Sequence, residues 1–136
     1  MNYRETVKEE LECQQAVLGY ALKIVNFFSN HDPKHHNMLS MSSFLDSIPD
    51  GRNDIASFST ALLYLSHSKN PLLEMEFKYF DEASECYLDI DMDDIHEAEN
   101  SGILYHPDSG VKIENYKEKI IIFYKPCKIA SEIYGT

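Results

Sequence analysis

Apolar residues at Val7, Leu11, Leu18, Ala21, Leu22, Val25 and Phe28 recur at steps of three, four and seven. That spacing draws one face of a helix and predicts it from about Asn2 to Ser29. Glu5, Lys8, Glu9, Glu12 and Lys23 fall mostly off the stripe. Ile24 and Phe27 broaden it toward the C-terminal end, which implies contact with two surfaces. Pro33 lies inside the polar break that runs from His31 to Asn37, and it cannot continue the helix. A short helix is predicted at about Ser40 to Ser47, burying Met41, Phe44 and Leu45, with Ile48 just beyond. Pro49-Asp50-Gly51 is a turn signal, because Pro presets φ and Gly tolerates positive φ. Asp54 then caps a helix whose buried line is Ile55, Phe58, Leu62 and Leu65, widened by Ala61 and Leu63. Asn70-Pro71 ends it.

After Pro71 the period drops to two. Leu73, Met75, Phe77 and Tyr79 alternate with Glu74, Glu76 and Lys78, the pattern of a half-buried antiparallel strand. Asp81 to Ser84 reads as a loop and Glu85 to Ile90 as the returning strand, with Cys86, Leu88 and Ile90 on one face. Asp91 to Ser101 reads as a short acidic helix closed by Gly102. Ile103 to Tyr105 is a strand, and Pro107-Asp108-Ser109-Gly110 a turn. Lys119 to Lys125, with its Ile-Ile-Ile-Phe-Tyr centre, is the most strand-like segment. Its continuous apolar run predicts burial on both faces, with Ile120, Ile122 and Phe123 deep in the core. The fold class is therefore α+β: N-terminal helices followed by antiparallel strands. Three helices before a strand-loop-strand pair give a winged-helix-like outline.

Charge changes the picture most. Between Lys78 and Lys112 there is no Lys or Arg, yet the stretch holds ten acids: Asp81, Glu82, Glu85, Asp89, Asp91, Asp93, Asp94, Glu97, Glu99 and Asp108. The formal net charge of the whole chain is -11. Such a tract repels phosphate and attracts basic protein surfaces. We therefore expect Asp89, Asp91, Asp93 and Asp94 to contribute to contact with a basic surface on a larger protein. At 136 residues, with 43% apolar content, the chain is long and apolar enough to form one domain over 1–136 around a real core. Cys13, Cys86 and Cys127 are odd in number, scattered, and form no CxxC, so reduced buried thiols are expected. The charged start of the chain has no signal-peptide character. No segment reaches the ~18 consecutive apolar residues of a membrane span, so a cytoplasmic protein is expected.

Candidate chemistry is sparse. Asp89-Ile-Asp-Met-Asp-Asp94 has the spacing that begins an EF-hand loop, but Asp94 stands where the turn needs Gly and Asn100 where it needs Glu. A solvated strand end and helix N-terminus account for the same residues. His31, His35 and His36 could hold a metal only on a helix, which Pro33 forbids. No metal or cofactor is expected. No GxSxG, GxGxxG or P-loop is present, so no enzyme activity is expected. The Asp54–Ser68 helix occupies the place of a recognition helix. Its outward residues are mainly Ser57, Ser59, Thr60, Ser66 and His67, with Arg52 and Asn53 just ahead, a thin supply for reading DNA. Lys112, Lys117, Lys119, Lys125 and Lys128 read as a solvated, Lys-protected edge.

The helix order, the wing-like pair at Leu72 to Ile90 and the stretch "SGILYHPDSGVKIENYKEKIIIFYKP" resemble small winged-helix accessory subunits. The nearest such family is the short middle component of bacterial three-component ABC/SMC-type defence systems, encoded between an ATPase and an effector. The resemblance implies a non-enzymatic adaptor that sits on the ATPase, and it carries over no residue. Two other classes suit a small acidic chain. One is a secretion-type chaperone binding an extended partner segment. The other is a small dimeric DNA-binding regulator, whose binding would weaken steeply with salt. Helices ahead of any strand favour the winged helix over the chaperone.

Overall fold

The computed structural model describes residues 2–136 and forms two compact units, 2–75 with 124–136, and 76–123. The boundaries fall inside two strands, β1 (Leu73–Asp81) and β5 (Ile120–Pro126).

The first unit is helical. The predicted long first helix is two helices, α1 (Tyr3–Glu10) and α2 (Gln15–Asn30). The apolar phase runs through the break: Val7 and Leu11 are as buried as Ala21, Val25 and Phe28. What ends α1 is polar. Glu9, Glu10 and Glu12 crowd its C-terminal end, where the helix dipole disfavours acids. The Gln15 side chain then donates to the Glu12 carbonyl at 2.6 Å. At its other end α1 carries a capping box, with Asn2 and Glu5 each accepting the other's backbone N–H. A 3-10 turn occupies Pro33–His35, with Asp32 capping it. Helix α3 (Met41–Ser47) is capped by Ser40, and α4 (Ile55–His67) by Asp54, as the sequence predicts for Asp54.

Phe28, Phe44, Phe58, Ile24, Leu62, Leu65, Leu72 and Leu73 form the fully buried centre of this unit. Leu39 and Tyr124 exchange backbone hydrogen bonds, and helix α7 (Lys128–Ile133) contributes Ala130 and Ile133. Gly51 is required by space. A Cβ there would lie 2.7 Å from Phe58 Cδ2 and 2.8 Å from Leu45 Cδ2. Gly51→Ala is expected to cost about 1–3 kcal/mol, the usual range for overpacking, seen as a lower urea midpoint at unchanged m-value.

The second unit is built on a hairpin. β1 pairs antiparallel with β2 (Cys86–Ile90) in the register Phe77↔Ile90, Tyr79↔Leu88 and Phe80↔Tyr87. The three-stranded sheet has the order β2-β1-β5. Helix α5 (Met92–Ser101) follows, capped by Asp91 and closed by Gly102 at φ 80°, the left-handed region that Gly enters without a Cβ penalty. β3 (Leu104–Tyr105) and β4 (Lys112–Ile113) form a second, two-stranded sheet, and the single-turn helix α6 (Tyr116–Lys119) leads into β5. Ile90, Ile95, Ala98, Leu104, Ile113 and Tyr116 make the core, with Phe77, Tyr79 and Ile120 against it. The Tyr116 hydroxyl donates to the Ala98 carbonyl at 3.1 Å inside that core.

Three further expectations need correction. In α4 the buried line is Phe58, Ala61, Leu62 and Leu65, whereas Ile55 and Leu63 are exposed. The β5 run is not buried on both faces: Ile122 is 37% exposed, Ile120 and Phe123 are half-buried, and only Tyr124 is deep. Ile120 packs on the core of its unit, but Ile122, on the same face by alternation, stays exposed, while Ile121 and Phe123 on the other face are half-buried. The thiols are not buried either. Cys13 lies in the exposed α1–α2 turn, Cys86 opens an edge strand, and Cys127 is half-buried.

Candidate functional site

The acidic tract spans the β1–β2 turn, β2 and α5. Asp89 is on β2, and its carboxylate receives Lys78 Nζ at 2.6 Å. Lys78 also reaches Glu76 at 3.3 Å, and its side chain is only 14% exposed, stretched along the sheet. The Asp89 hydrogen bond is the main cause that raises the Lys78 pKa. Asp91 caps α5, accepting from the Asp93 N–H at 3.3 Å, and Asp93 and Asp94 occupy the first helical turn. There the dipole favours them. Asp89, Asp91, Asp93 and Asp94 are all exposed, and among the described residues Asp91, Asp93 and Asp94 join no ion pair. The EF-hand-like run is thus a strand end and a helix start, with no loop to wrap its oxygens around an ion.

Beside the acids lies an apolar strip that periodicity alone does not expose. Phe80 and Tyr87 are cross-strand partners with ring centroids 5.1 Å apart, and Tyr87 meets the edge of Phe123 at 5.5 Å. Phe80 is 40% exposed and Tyr87 45%. Alternation sets them on the face opposite Phe77, Tyr79 and Ile90, together with Lys78 and Asp89. The sequence holds one signal for this. Residue 80 belongs to the polar set Glu74, Glu76 and Lys78, yet it is Phe.

Asp81 anchors a polar knot at the end of β1. The Ser84 hydroxyl donates to its Oδ2 at 2.8 Å, and His106 Nε2 faces its Oδ1 at 3.5 Å. His106 Nδ1 accepts from the backbone N–H groups of Asp108 and Ser109, each at 3.1 Å. The proton therefore sits on Nε2, toward Asp81. Ser, Asp and His are brought together, but not in the bonding order of a hydrolytic triad. The imidazole has no free nitrogen to take a proton from Ser84. Ser84 first, and His106 after it, hold the Asp81 carboxyl below its ordinary value of 3.8. A depressed carboxyl contributes stability that is present above 3.8 and lost as pH falls through the folded value. The stability gap between wild type and Asp81→Asn, measured by urea unfolding, is expected to be widest above that pH and to shrink below it.

No family model, no curated protein and no solved structure matches the chain. Residue chemistry therefore carries the functional reading.

In the helical unit a cavity of about 600 Å³ lies beside Tyr3, Arg4, Ser68 and Ile133. The Tyr3 hydroxyl is buried with no partner in full hydrogen-bond geometry, and burial raises its pKa to about 12, while Ser68 pulls it down. Arg4 is engaged with Ser29, with Asn26 at 3.2 Å and with Thr136 at 3.2 Å. The remaining charges on the wall, Glu10, Lys69 and Glu132, are of mixed sign and select no ligand class. Glu10 is itself held by the Tyr64 hydroxyl at 2.6 Å, and burial, then that bond, raises the Tyr64 pKa.

The histidine cluster is a local aromatic stack. His31 lies on Phe27 with centroids 4.2 Å apart, and its Nδ1 contacts the Phe27 carbonyl oxygen at 2.8 Å. Desolvation, then His31, lowers the His36 pKa. Among the described residues no group of three His, Cys, Asp or Glu is placed to hold a metal. Two hydroxyls of α4 are used within the helix: Thr60 donates to the Ala56 carbonyl at 2.9 Å and Ser66 to the Leu62 carbonyl at 2.8 Å. The helix contains no Lys or Arg. The five lysines of the C-terminal third are spread over β4, α6, β5 and α7. No helix is long and apolar enough to cross a membrane among the described residues.

Proposed function

We propose that this chain is a non-enzymatic adaptor subunit that binds a basic surface of a larger protein through its second unit. The observation that carries this is a juxtaposition on one sheet face and its margin. An exposed aromatic pair, Phe80 and Tyr87, lies within a stretch that has acids throughout and no cation between Lys78 and Lys112. Aromatic side chains hold a complex once water is excluded, and complementary charge speeds the encounter and sets its register. Neither surface suits phosphate, and α4 offers no cation of its own, so DNA contact by the chain alone is disfavoured.

The winged-helix-like assignment rests on element order. Helices α2, α3 and α4 precede the β1–β2 hairpin, which takes the place of a wing. With the resemblance of the Gly102–Pro126 stretch, it makes a cytoplasmic ABC/SMC-type ATPase of a defence system the proposed partner class. The test is purification from the native host together with the products of the neighbouring genes. An ATPase with an exposed basic face should co-elute, and its retention should fall as salt is raised. Retention by DNA instead, with a steep salt slope and no protein partner, would favour the small DNA-binding regulator.

A further inference from the structure

We infer that the partner segment is an extended, basic stretch of chain that adds to the free edge of β2 as a further strand. The inference rests on the docking role proposed above and specifies its geometry. β2 is the terminal strand of the order β2-β1-β5, and among the described residues β1 is its only strand neighbour. Among the described residues no other backbone hydrogen bond reaches Cys86–Asp89. A five-residue strand with one free side presents a row of unpaired N–H and C=O groups, a ready template for another chain. The other edge of the sheet is taken at one residue, where Tyr124 of β5 is paired with Leu39 through bonds of 2.6 and 3.1 Å.

Side chains on and around β2 select the occupant. Native edges are commonly protected by Lys, Pro or a bulge, and Cys86-Tyr-Leu-Asp-Ile90 has no Lys or Pro. Its one charge is Asp89, flanked by Glu85 and Asp91. A second copy of this chain would set those acids against their own kind across the new pairing, which is destabilising for charges directly opposite. Phosphate is repelled for the same reason. A Lys- or Arg-bearing strand meets opposite charge, and an apolar residue on it can lie beside the exposed Tyr87. The acids thus guard the edge against self-association and leave it open to basic chains.

A short peptide that carries Lys and Val two residues apart, and so on one face, as in Lys-Thr-Val-Thr-Lys, is added to the full chain and tests this by hydrogen exchange. At a free concentration about ten times its dissociation constant, exchange of outward β2 amides should slow about tenfold. The same peptide N-methylated at every residue keeps its charge but loses its main-chain donors, and it should fail to protect them. Binding of both peptides alike, with β2 amides unchanged, would overturn strand addition and leave docking by charge intact. No binding of the Lys-Val peptide would also overturn it; the docking role itself is then decided separately by the partner association rate of the Asp variant described below. Concentration-dependent protection of β2 without peptide would assign the edge to a second copy and overturn the inference as well.

Discussion

Replacing Asp89, Asp91, Asp93 and Asp94 together by Asn is expected to slow association with the partner on the order of tenfold to a hundredfold at low salt. The wild-type rate should fall as ionic strength rises, and the variant's rate should stay nearly flat, so the two converge near 1 M salt, where the screening length is only about 3 Å. The substitution changes charge and leaves local structure largely intact. Asn at position 91 remains a good N-cap, able to accept the N–H of residue 93. Losing acids from the first turn of α5 costs about 0.3–1 kcal/mol each, offset in part by relief of repulsion among crowded carboxylates. Loss of the Asp89–Lys78 pair adds little, because Asp89 is on the exposed side of it and Lys78 keeps Glu76. Stopped-flow mixing with the co-purified partner across a salt series measures the effect, and far-ultraviolet circular dichroism verifies the fold.

Phe58→Ala is expected to destabilise the helical unit by about 3–5 kcal/mol, a large share of the 5–15 kcal/mol typical of a whole domain. Phe58 is fully buried, meets Tyr20 edge-on at 5.5 Å, and fills the space against Gly51. Truncation removes both the ring and the aromatic contact and leaves a cavity. The same geometry predicts coupling. Gly51→Ala clashes with the Phe58 ring in the wild type, and much of that clash disappears when the ring is gone, although Leu45 remains close. In the double variant the cost of Gly51→Ala should therefore shrink by about 0.5–3 kcal/mol, the range seen for residues in contact. Urea unfolding of the four proteins, followed by circular dichroism because the chain has no Trp, measures the cycle.

Local chemistry was legible where one residue type has one mechanical use. Asp54 caps a helix, Gly102 closes α5, and the drop of period after Pro71 marks β1. The break between α1 and α2 was not legible, because buried positions keep helical phase across it and only a cluster of acids marks the end. An Ile-Ile-Ile run reads as a doubly buried strand, yet in β5 Ile120 and Ile121 are half-buried and Ile122 is exposed. α6 and α7, with four and six residues, are too short to show a period. The acidic half of the candidate site could be read directly from charge. Its aromatic half could not, since Phe80, Tyr87 and Phe123 come from three strands. They meet only through the Phe80↔Tyr87 register and the β2-β1-β5 order. Neither is specified by pattern along a single strand.

Photo-crosslinking in the native host tests the docking claim most directly. A photoreactive phenylalanine analogue replaces Tyr87 in one strain and Leu63 in another, two exposed apolar positions in different units, 45% and 48% accessible. The account predicts a crosslink from position 87 to a Lys- or Arg-bearing segment of a larger protein, weakened by salt and by the fourfold Asn variant, with little product from position 63. A product from position 63 alone, or one from position 87 that joins an acidic segment and ignores salt, would contradict it.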